Sequence, residues 1–291
     1  MKLKITLILL ICFSKIYSQK IEKEIGEIKI TQEGYYFENY LKSKKRKVSK
    51  SEFYFDNFGK ILEKISYGRH HFNKLNVIGN IEQYFYENDK LYLSKEYTSS
   101  CKSCDFYHFY TKYNYNESNI LIGENIYYGE IDSLFMSIKY IEKLNIKETH
   151  FNQSTFNQRV FDSENRIIQL NQVFEETDKI RWQYLYEYKD NCRIANFQTY
   201  YGDGKENSKK EIIIFDNQNR KISEEIYNYN RTKKVFKYSK NGIIDEIAEY
   251  ESSVEKEDYK LLRLTKFKIN KSPKKLTKEI IAKINSEIDN E

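Results

Sequence analysis

Proline is almost missing from this chain. Pro273 is the only one in 291 residues, beside 4 cysteines, 4 histidines and a single tryptophan. The chemistry motifs are missing too. There is no serine in a nucleophile elbow, no HExxH, no phosphate-binding loop and no dinucleotide fingerprint. His70 and His71 are adjacent, so in a strand they point to opposite faces and form no joint site. Acidic residues are spread along polar segments, and pairing any two as acid and base is arbitrary. No catalytic residue, metal ligand or cofactor is therefore assigned, and the expectation is a protein that is not an enzyme. A dominant charge is also lacking. The formal charge of +6 drops to +3 if the first eighteen residues, with Lys2, Lys4 and Lys15 and no acid, are removed. Such a balance lends no support to nucleic-acid binding.

Long apolar runs are absent except at the start. Met1 to Lys4 is basic, Ile5 to Phe13 is apolar, and Ile16-Tyr17-Ser18 ends on a small residue. This reads as a secretory signal peptide over 1–18, cleaved near Ser18. The apolar run is too short to span a bilayer. The expected location is secreted, periplasmic or at the cell surface.

What is abundant is aromatic and charged. Phe, Tyr and Trp make up 16% and charged residues 32%, with 27 Tyr against 18 Phe. So much burial-capable aromatic surface argues against disorder. A Tyr ring packs while its hydroxyl stays wet, which suits a sheet whose faces are only partly covered.

These residues follow a repeated grammar. An aromatic ends an extended run, a polar turn follows, a basic residue restarts the chain, and a second run closes on another aromatic. The anchors are Phe55, Tyr86, Tyr115, Phe161, Tyr188, Phe215 and Tyr238. They recur about every 23 to 31 residues, with one longer gap after Tyr115, which is the signature of a repeat architecture. Each unit reads as a β-hairpin. Gly59 and Gly242, and Asn165 and Asn219, stand where a left-handed residue closes the turn. The leading Asp56, Asp162 and Asp216 can bond their own backbone.

The elements Phe55-Asp56-Asn57-Phe58-Gly59-Lys60-Ile61, Phe161-Asp162-Ser163-Glu164-Asn165-Arg166-Ile167 and Phe215-Asp216-Asn217-Gln218-Asn219-Arg220-Lys221-Ile222 resemble the YD/RHS repeat over roughly residues 50–250. The resemblance implies a long antiparallel sheet of consecutive hairpins on an exported bacterial protein. Large members of that family roll the sheet into a shell around a toxin. This chain, with about seven units, is expected to fall short of a closed shell.

Other stretches carry competing readings. Lys42 to Lys47 is either a polyanion-binding patch or a solvated loop whose lysines guard a sheet edge. Cys101-Lys102-Ser103-Cys104 is a loop disulfide or a pair of thiols, a partial zinc site with His108, or a redox pair. Cys192, in a turn, is left odd. In 129–150 the apolar residues Ile131, Leu134, Phe135, Ile138, Ile141 and Leu144 fit helical spacing, with Asp132 as N-cap, although two further strands fit as well. Trp182, Tyr184, Tyr186 and Tyr188 alternate along one strand, and Tyr107, Phe109, Tyr113 and Tyr115 form a second ladder. They are either an exposed platform for a glycan or peptide or a packed face. Ser272-Pro273 opens a terminal helix whose stripe is Leu276, Ile280, Ile281, Ile284 and Ile288.

The expected fold is therefore all-β: a long antiparallel sheet of consecutive β-hairpin repeats, about 14 to 16 strands, strongly curled. Its parts are a signal peptide (1–18), N-terminal hairpins (19–128), a helical insertion (129–150), C-terminal hairpins (151–270) and a capping helix (271–291) that covers the sheet edge. The expected function is exported, non-catalytic protein or glycan interaction through Trp182, Tyr184, Tyr186 and Tyr188, with no nucleic acid and no membrane crossing. The alternatives are an envelope-associated structural protein assembling through sheet edges, and a metal-dependent hydrolase built on the 98–110 loop.

Overall fold

The computed structural model describes residues 28–37, 45–68, 78–99, 106–129, 131–151, 154–201, 204–228, 230–253, 258–272 and 276–289. The signal-peptide reading of 1–18, His70, His71, Cys101 and Cys104 lie outside the described residues, as do the side chains of Tyr107 and His108. The first nine strands are β1 (Ile28–Phe37), β2 (Lys45–Phe55), β3 (Ile61–Tyr67), β4 (Ile78–Glu87), β5 (Lys90–Ser99), β6 (Phe106–Tyr115), β7 (Leu121–Tyr128), β8 (Ser133–Lys143) and β9 (Ile146–Phe151). The next nine are β10 (Thr155–Phe161), β11 (Ile167–Phe174), β12 (Ile180–Lys189), β13 (Cys192–Tyr201), β14 (Gly204–Phe215), β15 (Lys221–Tyr227), β16 (Asn230–Tyr238), β17 (Ile244–Ser253) and β18 (Lys260–Lys271). One helix, α1 (Lys278–Asp289), follows.

Each strand pairs antiparallel with its sequence neighbours, and β1 also pairs with β18, from Lys29↔Lys271 to Tyr36↔Arg263. The 18 strands thus form a closed ring, an up-and-down barrel. The expected curl is present, but it runs to closure. The expected helix over 129–150 is not: β8 and β9 form an eighth hairpin, turning at Leu144-Asn145. Its β-branched residues and the open edges of β7 and β10 on either side favour strand over helix, because only strands satisfy those backbone groups. With β1 and β18 also in the ring, the strand count exceeds the expected 14 to 16.

The turns explain the repeated grammar. In the loops at 56–60, 116–120, 162–166, 216–220 and 239–243, the N–H of the fourth residue donates to the carbonyl of the first. That fourth residue is left-handed every time: Gly59, Asn119, Asn165, Asn219 and Gly242, with φ between 58° and 83°. Asp216 Oδ1 accepts the N–H groups of Gln218 (2.9 Å) and Arg220 (3.0 Å), and Asp56 and Asp162 do the same in their turns. Arg220 clamps Asp216 Oδ2 through Nε at 2.7 Å, which holds that carboxyl below its usual range.

The basic residue then reaches the next unit. The Arg220 guanidinium lies 4.6 Å from the ring centre of Tyr238, and Arg166 lies 4.8 Å from that of Tyr188. Lys60 over Tyr86 and Lys90 over Tyr115 repeat the contact. The anchor hydroxyls close the joint: Tyr238 donates to the Lys221 carbonyl (2.7 Å), Tyr188 to Ile167 (2.9 Å) and Tyr115 to Leu91 (2.9 Å). Tyr115, Tyr188 and Tyr238 are therefore pegs between two hairpins, each joined by a cation–π contact and a hydrogen bond.

Helix α1 defines the inside. Its Ile284 and Ile288 are fully buried with Ile28, Ile30, Phe53, Phe55, Phe236 and Phe267, and Tyr84 packs against this cluster. Its Asp289 pairs with Lys221 at 2.8 Å. One helix reaches both β4 and β15, strands on opposite flanks of an eight-strand arc, only from the concave side. A helix lying midway along that arc on a convex wall would touch neither flank. It sits against the turns, where Ile280 and Ile281 lie beside Gly59 and Gly242, and Asn285 bonds Ile244 N and the Gly242 carbonyl. The helix docks on the last strands as expected, but it lies inside the turn end of a barrel instead of covering an edge. Its N-cap is Thr277, which accepts from Ile280 N at 3.3 Å, not Ser272; Pro273 is outside the described residues.

The opposite face of the sheet is polar. Glu52 accepts from Lys29 (2.9 Å), Tyr54 (2.8 Å) and Tyr67 (3.2 Å), and Lys50 lies 2.9 Å away. An amide ladder links Gln158, Asn171, Gln169, Gln183 and Gln198 across four strands. At the open end of β2 the described part of the basic stretch is engaged locally, Lys47 pairing with Glu33 and Lys45 lying 4.7 Å over the Tyr35 ring; Lys42 to Lys44 lie outside the described residues.

Two outcomes follow for stability. Tyr238→Phe is expected to cost about 1 kcal/mol in urea unfolding, the net worth of one hydrogen bond. Asn219→Val should cost about 1–2 kcal/mol while Asn219→Gly is nearly neutral, because only the former meets the left-handed penalty. Burial opposes ionisation of Glu52, but bonds from Lys29, Lys50 and Tyr54 overcome it and lower its pKa from 4.5 to about 2. A depressed carboxylate stabilises above its unfolded value and loses that contribution as pH falls. The melting-temperature gap between wild type and Glu52→Gln should therefore be full at neutral pH and shrink between pH 4.5 and 2.

Candidate functional site

Cross-strand pairs locate the inner wall all round the ring. Starting from Tyr36 opposite Arg263, the same face passes through Lys64, Glu82, Glu96, Phe109, Asn157, Gln172, Trp182, Lys209, Glu224, Lys234 and Glu249 before returning. This is the face that carries α1. Barrels of this strand number leave an interior too wide for side chains to fill, and α1 occupies only the sector from β15 to β4.

The β12 ladder faces this lumen. Trp182 meets Tyr184 edge-on at 5.9 Å, and Tyr184 stacks on Tyr186 at 6.2 Å. Phe197 on β13 packs against Tyr184 at 4.7 Å. Basic residues lie over the rings: Lys209 at 5.7 Å from Tyr184 and Arg193 at 5.6 Å from Tyr186. Burial raises the Tyr186 phenol, and nearby Glu211 adds to it. Tyr188 is different, since it is the peg beneath Arg166. Three of the four predicted residues thus form a half-buried lumenal surface, and the fourth is a structural joint. Phe109 and Tyr113 of the second ladder face the same lumen from β6, where Tyr113 bonds Ser94 at 3.2 Å, while Tyr115, like Tyr188, is a peg, beneath Lys90.

Two cavities open from the lumen. One, of about 890 Å³, is lined by Tyr36, Ser49, Lys64, Lys234, Glu249 and Arg263, with Phe236, Phe267 and Ile288 at its floor. The other, of about 310 Å³, is lined by Glu82, Tyr84, Ser94, Glu96, Phe109 and Phe135. Neither was visible beforehand, because β1, β3, β16 and β18 supply the first cavity and only ring closure brings them together. The alternation of polar and aromatic residues was the one available signal, and it does not say which strands face each other.

Remaining candidates are placed as follows. His150 lies on the outer face, stacked on Phe156, with Nδ1 3.0 Å from Glu175 and Nε2 3.3 Å from Glu148. Cys192 is a free thiol at the start of β13. Among the described residues no group of His, Cys, Asp and Glu is placed to hold a metal ion, and no helix is long and apolar enough to cross a membrane.

Neither a protein-family model nor a curated protein matches the sequence, so membership of the YD/RHS family is not established. Solved structures share the all-β architecture loosely. A porin-like protein from Bacteroides uniformis ATCC 8492 aligns over 84% of this chain and 98% of its own, at 6% identity and TM-score 0.42. A second porin-like protein, from Bacteroides vulgatus ATCC 8482, aligns over 82% and 97% at 9% identity and TM-score 0.26. The complex TcdB2-TccC3-Cdc42 aligns over 79% of this chain but 14% of its own, at 11% identity and TM-score 0.34. At these scores the likeness carries no functional argument.

Trp182 is the only tryptophan, so its emission reports on the lumen. Acrylamide is expected to quench it, while a quencher attached to a protein too large to enter the barrel should not. Equal quenching by both would place the ladder on the outside.

Proposed function

We propose that this chain is an exported, non-catalytic binding barrel that takes a glycan into its lumen. The observation that carries the reading is the β12 ladder, whose half-buried rings stand on the inner wall outside the sector that α1 occupies. Aromatic faces suit the apolar faces of sugar rings, and Gln172 and Thr199, directly opposite Trp182, offer hydrogen bonds to hydroxyls. The broad outer sheet surface is a weaker candidate, because its amides and charges are already engaged with one another. Export rests on residues 1–18.

The barrel is proposed to be water-soluble and not to span a membrane. A lipid-facing wall needs an apolar band, and a Lys at mid-membrane depth costs roughly 2–4 kcal/mol. Here Lys29, Lys50, Glu52, Glu63, Glu148 and Gln183 stand on the outer face. Assembly through sheet edges is disfavoured, since the closed ring leaves no free edge among the described strands.

A glycan array probed with the mature protein tests the reading. Retention of at least one glycan class is expected, and Trp182→Ala or Tyr184→Ala should weaken it about tenfold, the worth of roughly one lost aromatic contact. Full retention by both variants, or retention of peptides alone, would sink it.

A further inference from the structure

We propose that the lumen wall between β4 and β8 holds a second site, for an organic ammonium or guanidinium group, formed by Glu82 and Glu96 with the rings of Tyr84, Phe109 and Phe135. It rests on the reading of the lumen as a ligand chamber and adds the chemistry of one wall. The site is the smaller cavity, of about 310 Å³.

Glu82 and Glu96 are directly opposite each other across β4 and β5. Like charges so placed destabilise a sheet unless a positive group or donor joins them. Here donors do approach. Asn80 Nδ2 lies 3.2 Å from Glu82 and 3.3 Å from Glu96. Tyr84 donates to Glu82 at 2.7 Å, and Lys64 approaches it at 3.4 Å. The arrangement already recognises N–H donors and cations. Further carboxylates belong to the same sector, Glu124 on β7 and Glu287 on the helix. The Tyr84 phenol is pushed up by burial first, then by Glu82 and Glu287.

The aromatic side of the cavity is built separately. A bulge between Ile126 and Tyr127 of β7 leaves Phe135 as the extra residue of β8, between Leu134 and Met136. Phe135 is 52% exposed although it touches Tyr128 at 5.1 Å and Phe109 at 5.9 Å between ring centres. A ring left half-open to water beside two carboxylates offers cation–π attraction together with charge. The lining also includes Ser94, Lys95, Thr111 and Ile126, and a metal ion fits poorly because the Asn80 amide donates into the carboxylate pair. A small organic cation uses the carboxylates and the rings together.

Calorimetry on the full chain with butylammonium and agmatine, against butyrate and butanol, tests this. The two cations are expected to bind and the two controls not to. Glu82→Gln/Glu96→Gln should abolish binding, and Phe135→Ala should weaken it severalfold while leaving the glycan retention of the β12 ladder intact. If the double variant fails to fold by circular dichroism, the exposed Phe135→Ala carries the comparison. No binding of either cation, undiminished binding in these variants, or butyrate binding as tightly as butylammonium overturns the proposal. Cation binding without any glycan retention would remove only the ladder reading, and glycan retention without cation binding only this one.

Discussion

The pairing of β1 between β2 and β18 is what the architecture depends on. It joins segments more than two hundred residues apart and removes the only edges that consecutive hairpins cannot satisfy among themselves. The same strand anchors the core. Ile28 and Ile30 are fully buried against Phe53, Phe55, Phe267 and the helix residues Ile284 and Ile288. Closure and core are thus one event, because the inward residues of β1 are also the floor on which α1 rests. A long-range pairing of this kind is entropically costly to form, and the dense cluster around it offsets that cost. Elsewhere the inner wall is far less buried.

Away from that seam the barrel is held by local joints. Each turn aspartate organises its own loop, and its basic partner reaches the aromatic peg of the following hairpin. Neighbouring units are bound in a nearest-neighbour fashion, as in other repeat proteins. This allows a ring of eight hairpins without a filled centre. It also accounts for the excess of Tyr over Phe: the ring packs against a guanidinium or ammonium group, and the hydroxyl reaches the carbonyl at the start of the preceding unit's second strand.

The two faces divide the chemistry. Outside, carboxylates, lysines and amides neutralise one another in clusters such as that around Glu52. Inside, rings and charges line the wall, with α1 at the turn end and two cavities beside it.

Much of this was legible in the residues themselves. The anchors from Phe55 to Tyr238, the left-handed Gly59, Asn165 and Asn219, and the apolar stripe of the terminal helix are local properties, set by backbone sterics and short-range hydrogen bonds. The segment from Ser133 to Phe151 was not legible, because its spacing suits helix and strand alike and the open edges beside it decided the matter. Nor was it visible that Tyr188 is a joint while Trp182 and Tyr184 face the lumen, since alternation identifies a face but not what lies across from it. Local sequence determined hairpins, turns and the partners of each turn residue. Only the tertiary structure decided that the array closes, that the helix goes inside, and that Glu82, Phe135, Lys234 and Arg263 share one chamber. The pairing that does so links the two ends of the chain, and no periodicity within a single repeat encodes it.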